Sequence, residues 1–127
     1  MAEPTNTGFG RVLVAVYATF ALAATARAAV QLASRYDEAP LAYLLSALAA
    51  VVYVVATIAL ARSARAAAVA AVTFELIGVL AIGTLSVLDP TAFPDETVWS
   101  DYGRGYAFIP LVLPVVGLYW LRKTTRS

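Results

Sequence analysis

Residues 66–88 read AAAVAAVTFELIGVLAIGTLSVL, a run of 23 residues in which Glu75 is the single charged side chain. A helix crosses the hydrocarbon core of a bilayer in about 20 residues, so this run predicts a membrane span. A carboxylate at membrane depth costs roughly 2.5–3.5 kcal/mol on insertion scales, and such residues mark functional sites by default. Glu75 is therefore the first candidate for a binding residue.

Three further apolar runs accompany this one, and they cover residues 12–33, 41–61 and 104–121. The first is longer than the apolar region of a signal peptide, which is about 7–15 residues, so we expect it to be retained as a span. Its Ala-x-Ala patterns leave cleavage open as an alternative. The chain is thus expected to be one domain, an all-α bundle of four transmembrane helices, with a long loop over residues 89–103.

Composition supports the same class and excludes several chemistries. Of the 127 residues, 61% are hydrophobic and 13% are charged, whereas soluble domains carry about 25% charged residues. The chain has no cysteine and no histidine, which removes disulfides, thiol chemistry and the usual zinc ligands. No phosphate loop or nucleophile elbow is present. We expect neither an enzyme nor a cofactor or metal site, and a net charge of +1 gives no reason to expect nucleic acid as a partner.

Basic residues predict the orientation of the spans, because the loops that face the cytoplasm carry the excess of arginine and lysine. One side of the predicted bundle has Arg11, Arg62, Arg65, Arg122, Lys123 and Arg126, and the other has Arg35 and Arg104. Both termini are therefore expected in the cytoplasm. Arginine outnumbers lysine eight to one and alanine is abundant, which favours a GC-rich genome and a bacterial inner membrane.

The predicted outer loop offers a second group of candidate residues. Trp99 and Tyr102 suit the aromatic belt at a membrane interface. As an alternative, a binding lip over the bundle would use Trp99, Asp101, Tyr102 and Arg104. The loop carboxylates, Asp101 among them, are expected to be solvated charges rather than a divalent-cation site.

Polar and small residues follow one face of each of the first three spans at helical spacing. These faces hold Tyr17, Phe20, Ala24, Arg27, Gln31 and Ser34 on the first span, Tyr43, Ser46, Ala50, Tyr53 and Thr57 on the second, and Ala68, Ala71, Glu75, Gly78 and Ile82 on the third. Polar stripes are disfavoured against lipid. We expect them to converge inside the bundle.

Depth along the spans suggests which residues meet Glu75. With a rise of about 1.5 Å per residue, Glu75 lies about 13 Å above the inner edge, Tyr53 about 12 Å and Arg27 about 22 Å. Tyr53 is therefore the first candidate partner, and Arg27 is the second, directly or through Gln31 or water. Tyr17 completes the candidate group.

Two hypotheses remain for this group. It is either a structural polar cluster that fixes helix register, or a site at which Glu75 binds a proton or a cationic ligand. The leading expectation is a non-enzymatic accessory or interaction protein, either a monomer or a parallel homo-oligomer, with the lipid bilayer and membrane proteins as partners. The alternative is a small-molecule or proton-coupled carrier.

The second half of the chain resembles a group of known proteins. The residues that carry the resemblance are Phe74-Glu75-Leu76-Ile77-Gly78, Gly83-Thr84-Leu85-Ser86, Asp89-Pro90, Phe93-Pro94-Asp95, Val98-Trp99-Ser100 and Pro110-Leu111-Val112-Leu113-Pro114. They resemble small four-span integral membrane proteins of high-GC Gram-positive bacteria. The resemblance implies a location and a fold, but no activity.

Small multidrug transporters are similar in length and also have four spans and one membrane glutamate. Their glutamate lies in the first span and their charge bias is weak, whereas Glu75 lies in the third span of a strongly biased chain. This similarity therefore implies neither their activity nor their antiparallel dimers.

Overall fold

Four helices in chain order make up the fold of the computed structural model, which describes residues 4–34, 40–89, 99, 102–103 and 108–125. They are α1 (Phe9–Ser34), α2 (Pro40–Ala61), α3 (Arg65–Leu88) and α4 (Ile109–Thr125). Consecutive helices pack against each other. The predicted all-α four-helix bundle is confirmed.

Large apolar side chains cover the outside of this bundle. Leu22 on α1, Val51 on α2, Ile77 on α3 and Val115 on α4 are each more than half exposed. Three segments, Phe9–Val30, Leu44–Ala61 and Arg65–Leu88, are long and apolar enough to cross a membrane. Apolar side chains exposed on every helix would be a liability in water and are the natural surface against lipid. The fold is thus that expected of a membrane protein.

The described side chains of the predicted polar stripes turn inward, whereas those of Gln31, Ser34 and Tyr43 lie outside the described residues. Tyr17, Tyr53 and Glu75 have no exposed surface, and Phe20 and Ser46 are also buried. Alanine is the commonest of the other core residues, and small residues allow helices to approach closely. A few polar side chains are therefore enclosed in an otherwise apolar interior.

Helix α4 is shorter than the other three. It contains 17 residues and begins at Ile109, so it is about 25 Å long against about 30 Å of hydrocarbon. Pro110 lies in the first turn, where its missing N–H is tolerated, and Pro114 lies inside the helix. Phe108, immediately before α4, has φ +60°. The described part of the fourth predicted span, residues 104–121, is thus helical from residue 109 onward, and residues 104–107 lie outside the described residues.

The level of α4 in the bundle follows from its contact with α3. A Cβ atom on Gly117 would lie 3.2 Å from Val72, so these two residues are level. With a rise of about 1.5 Å per residue, the start of α4 at Ile109 lies about 12 Å above Val72. The end of α3 at Leu88 lies about 24 Å above Val72. The start of α4 therefore falls about 12 Å short of the end of α3.

The end of the bundle that carries most basic residues is fastened by hydrogen bonds between distant segments. The buried Thr5 hydroxyl donates to the carbonyl of Leu60, and the Trp120 indole donates to the carbonyl of Thr5 at 3.1 Å. The Arg65 guanidinium donates to the carbonyl of Leu121 at 2.9 Å and to the Thr124 hydroxyl at 2.7 Å. These hydrogen bonds tie the N-terminal segment and the start of α3 to the ends of α2 and α4.

Candidate functional site

Glu75 lies at the centre of the bundle on the buried face of α3. Its side chain has no exposed surface, and Val72 and Val79, one turn to either side, are equally buried. The Tyr17 hydroxyl on α1 donates a hydrogen bond of 2.6 Å to Oε1 of Glu75. Distances of 2.5–2.7 Å are typical of an O–H donor bound to an ionised oxygen. The carboxyl group thus ties α3 directly to α1.

Tyr53 brings α2 into the same cluster. Its ring contacts those of Tyr17 and Phe20, with centroids 6.2 Å and 5.7 Å apart. These separations fall within the range of favourable aromatic pairs. A polar centre is thereby enclosed by aromatic rings from α1 and α2.

Trp99, from the connection between α3 and α4, completes the enclosure. It is 1% exposed, and its indole Nε1 donates to the Tyr53 hydroxyl at 3.2 Å. Its ring packs on Gly78, where an added Cβ would lie 2.6 Å from the ring. Because Gly78 lies one turn from Glu75 and about 15 Å below the end of α3, Trp99 sits deep inside the bundle.

Two oxygen atoms in this interior have no hydrogen-bond partner among the described residues. They are Oε2 of Glu75 and the hydroxyl of Ser46. Buried polar atoms are usually paired, and each exception calls for an explanation. Ser46 lies seven residues from Tyr53 on α2, about 10 Å along the axis. The two unpaired atoms are therefore separate features.

Arg27 does not approach the carboxyl group. It lies on α1 ten residues beyond Tyr17, which is about 15 Å along the helix axis, and it is half-buried with contacts of its own. Among the described residues, the group that hydrogen-bonds Glu75 is the Tyr17 hydroxyl. The side chain of Gln31, also on α1, lies outside the described residues.

The order of partners therefore differs from the prediction. Tyr53 was expected first and Arg27 second, yet Tyr17 makes the direct hydrogen bond. The depth count left Tyr17 about 6 Å below Glu75, a gap that a tyrosine and a glutamate side chain span together. Rise per residue alone does not include side-chain length, and so it ranked the wrong tyrosine first.

The outer-face candidates divide between described and undescribed positions. Trp99 lies in the core and not in the interfacial belt that its sequence context predicted. Tyr102 packs on Gly83, and its hydroxyl is 2.7 Å from that of Thr84 near the end of α3. Asp101 and Arg104 lie outside the described residues. Gly78 and Gly83, five residues apart on α3, were the available signal that two bulky side chains dock there.

The cluster has the chemistry of a hydrogen-bonded buried carboxyl. The Tyr17 hydroxyl donates to the one acidic group, and the Trp99 indole donates to the Tyr53 hydroxyl beside Tyr17. The part of the chain that the structure describes gathers no three His, Cys, Asp or Glu side chains that could hold a metal. Such an arrangement can fix the relative positions of helices or bind a proton. Comparison with known proteins found no match to a family model, to a curated protein or to a solved structure.

Proposed function

We propose that this protein is a multi-pass integral membrane protein of the bacterial cytoplasmic membrane with a non-enzymatic accessory or interaction role. In this role the cluster of Tyr17, Tyr53, Glu75 and Trp99, hereafter the carboxyl cluster, locks the bundle. The observation that carries the proposal is the buried hydrogen bond from Tyr17 on α1 to Glu75 on α3. Tyr53 on α2 packs beside the Tyr17 ring and accepts a hydrogen bond from Trp99 of the α3–α4 connection.

Energetics support a locking role. Helix association within a bilayer gains little from the hydrophobic effect, since lipid tails are as apolar as leucine. Packing of small residues and hydrogen bonds between helices take its place. A buried donor or acceptor left without its partner costs about 1–3 kcal/mol. A shift of α1 along α3 would break the hydrogen bond between Tyr17 and Glu75 and would destabilise the fold by this order.

Charge and composition support the location. The excess of arginine and lysine lies on the side that holds both termini, as the positive-inside rule requires for a cytoplasmic location of those ends. The proposed partners are lipid and other membrane helices, including parallel copies of this chain. An antiparallel copy would place the basic loops on the wrong side of the membrane.

Substitution of Glu75 by Gln tests the role of the carboxyl cluster. If the cluster is a lock, purified E75Q in detergent melts at a lower temperature than the wild type, and Y17F shifts it in the same direction. Tyr119 is 66% exposed, so Y119F is the matched control and leaves the melting temperature unchanged. Loss of ligand binding in E75Q with unchanged thermal stability would contradict the proposal.

A second candidate function, a proton-coupled or small-molecule carrier, rests on the unpaired Oε2 of Glu75. An intramembrane carboxylate with free acceptor capacity is the usual centre of such transport. Proteoliposomes that contain wild-type protein would then show substrate-driven proton flux, and those with a folded E75Q variant would not. Equal flux in wild-type, E75Q and empty vesicles would rule out this candidate.

A further inference from the structure

An open apolar groove runs along the outer side of the bundle between α2 and α3. Its volume is about 400 Å³, which is within the range of small-ligand pockets. The side chains that line it are all apolar, and those that matter most are Leu48, Val52 and Val55 on α2 and Ala67, Ala70 and Phe74 on α3. The small alanines leave space on α3, and Leu48, Val55 and Phe74, each at least 40% exposed, line that space.

The groove, hereafter the α2–α3 groove, has the depth of one membrane leaflet. With a rise of about 1.5 Å per residue, Ala67 lies about 3 Å and Phe74 about 14 Å from Arg65 at the start of α3. On the other side, Val52 lies about 15 Å from Arg62, which directly follows α2. Half of the hydrocarbon thickness of a bilayer is also about 15 Å. The groove therefore matches the length of a lipid acyl chain in the leaflet next to the basic end of the bundle.

Arg62 lies in line with the α2–α3 groove at this basic end. Its backbone N–H donates to the carbonyl of Ile58 at 3.0 Å, so Arg62 continues the last turn of α2. Leu48, Val55 and Arg62 follow one another at intervals of seven residues, and residues seven apart share a helix face. Helical side chains lean toward the N-terminus of their helix, which for Arg62 is the direction of the groove. The guanidinium therefore stands at the mouth of the groove.

The charge of Arg62 is available to a ligand. Its side chain is exposed, and no hydrogen bond or ion pair joins that side chain to another described residue. Arg65 differs, because its guanidinium already donates to Leu121 and Thr124 on α4. An exposed guanidinium beside an apolar groove is complementary to a ligand with an anionic head and an apolar tail. Anionic phospholipids have this chemistry, guanidinium groups bind phosphate well, and basic pockets between membrane helices on the cytoplasmic side bind anionic lipid head groups.

A second copy of the chain would fit this face less well. Two parallel copies related by a two-fold axis meet through the same surface on each copy. The two Arg62 side chains would then lie at the same depth on the shared face, where like charges repel. An anionic lipid would instead compensate the charge of Arg62.

We propose that the α2–α3 groove is a binding site for one anionic phospholipid of the cytoplasmic leaflet. An acyl chain of the lipid occupies the groove, and Arg62 binds its phosphate group. The lipid then covers apolar surface of both helices and joins α2 to α3 on the outside of the bundle.

This inference rests on the membrane location and orientation in the proposed function, and it adds a specific lipid partner to them. It is independent of the carboxyl cluster, because Glu75 lies on the buried face of α3 and does not line the groove. The melting of E75Q and Y17F in detergent tests the lock without any lipid. Failure of the lipid site would therefore leave the locking role intact, and the reverse also holds.

Native mass spectrometry of the whole chain in detergent, titrated with phosphatidylglycerol or with phosphatidylcholine, tests the site. We expect the first phosphatidylglycerol to bind more tightly than further molecules, and phosphatidylcholine to show no such first step. One basic residue near a membrane surface changes the affinity for anionic lipid by about fivefold. R62A should therefore weaken the first phosphatidylglycerol by about fivefold. R11A removes another exposed arginine from the same end of the bundle and should leave that affinity unchanged.

Two alanines form a matched pair that tests the acyl-chain site. Ala70 lines the α2–α3 groove, and Ala29 lines a groove of about 410 Å³ between α1 and α2. Both are exposed, but Ala29 lies about 27 Å beyond Arg11 along α1 and so belongs to the opposite leaflet. A70L fills the α2–α3 groove and should weaken the first phosphatidylglycerol, whereas A29L should leave it unchanged.

Three results would overturn the inference. The first is an affinity for phosphatidylglycerol that is unchanged in R62A or in A70L. The second is an equal loss of affinity in R11A or in A29L, because the lipid would then respond to general charge or apolar surface. The third is a dimer that forms without lipid and is lost in A70L, because a second copy would then occupy the groove. Arg62 and Ala70 are exposed, so both substitutions leave the core of the bundle in place.

Discussion

The Tyr17 hydroxyl lies 2.6 Å from Oε1 of Glu75, across 58 residues of sequence. The contact joins the first and third helices at a depth where water is excluded. It converts a costly intramembrane carboxylate into a hydrogen-bonded element of the core. The remaining oxygen, Oε2, is left as the one polar atom of the carboxyl cluster without a described partner.

Substitution of Gly78 by Ala tests the docking of Trp99. The added Cβ would lie 2.6 Å from the indole ring, closer than real carbon contacts permit, so the ring must shift away from α3. Overpacking of this kind costs about 1–3 kcal/mol. We expect G78A to lower the free energy of unfolding in detergent by that amount and to alter Trp99 emission.

Gly117 supplies the control for this change. There a Cβ would meet Val72 at 3.2 Å and the Tyr17 hydroxyl at 3.3 Å, and shifts of a few tenths of an ångström relieve both contacts. G117A should therefore be less destabilising than G78A. Equal effects of the two substitutions would contradict the account of Trp99 packing.

Arg65 and Arg62 form a matched pair at the start of α3. Arg65 donates to Leu121 and Thr124 on α4, whereas the Arg62 side chain is exposed. Hydrogen bonds to charged groups contribute about 1.5–3 kcal/mol. We expect R65A to reduce the free energy of unfolding by this order and R62A to leave it nearly unchanged, as measured by denaturant titration in micelles.

The comparison of R65A with R62A also separates the effect of a lost positive charge from the effect of lost hydrogen bonds to α4. Each substitution removes one positive charge from the same end of the bundle. If R62A destabilised the protein as much as R65A, net charge and not the fastening of α4 would be responsible.

The position of Glu75 and the inward turn of the polar stripes follow from the sequence, because helical spacing determines which residues share a face. Tyr17 was placed on the correct face, but its rank as partner depended on side-chain reach. The depth of Trp99 did not follow, since the α3–α4 connection has no regular period from which its course can be read. The late start of α4 at Ile109 depends on the same connection. It could therefore not be predicted from the sequence either.

Membrane orientation is a further prediction. Six basic residues against two on the opposite side should hold both ends in the cytoplasm. A reporter that fluoresces only in the cytoplasm, fused after Ser127, is expected to be active in bacterial cells. An alkaline phosphatase fused at the same position is expected to be inactive, and the reverse pattern would show that the orientation is wrong.

The most direct test of the central claim is a double-mutant cycle on Tyr17 and Glu75. The free energies of unfolding of wild type, Y17F, E75L and Y17F/E75L are measured in the same micelles, with Y119F as the control partner. Residues in contact, including pairs that hydrogen-bond between helices in membranes, have coupling free energies of about 0.5–2 kcal/mol. We predict a coupling free energy in this range between Tyr17 and Glu75. We predict no coupling between Tyr119 and Glu75. Effects of Y17F and E75L that add to within about 0.3 kcal/mol would contradict the account, because the two side chains would then not act on each other in the folded protein.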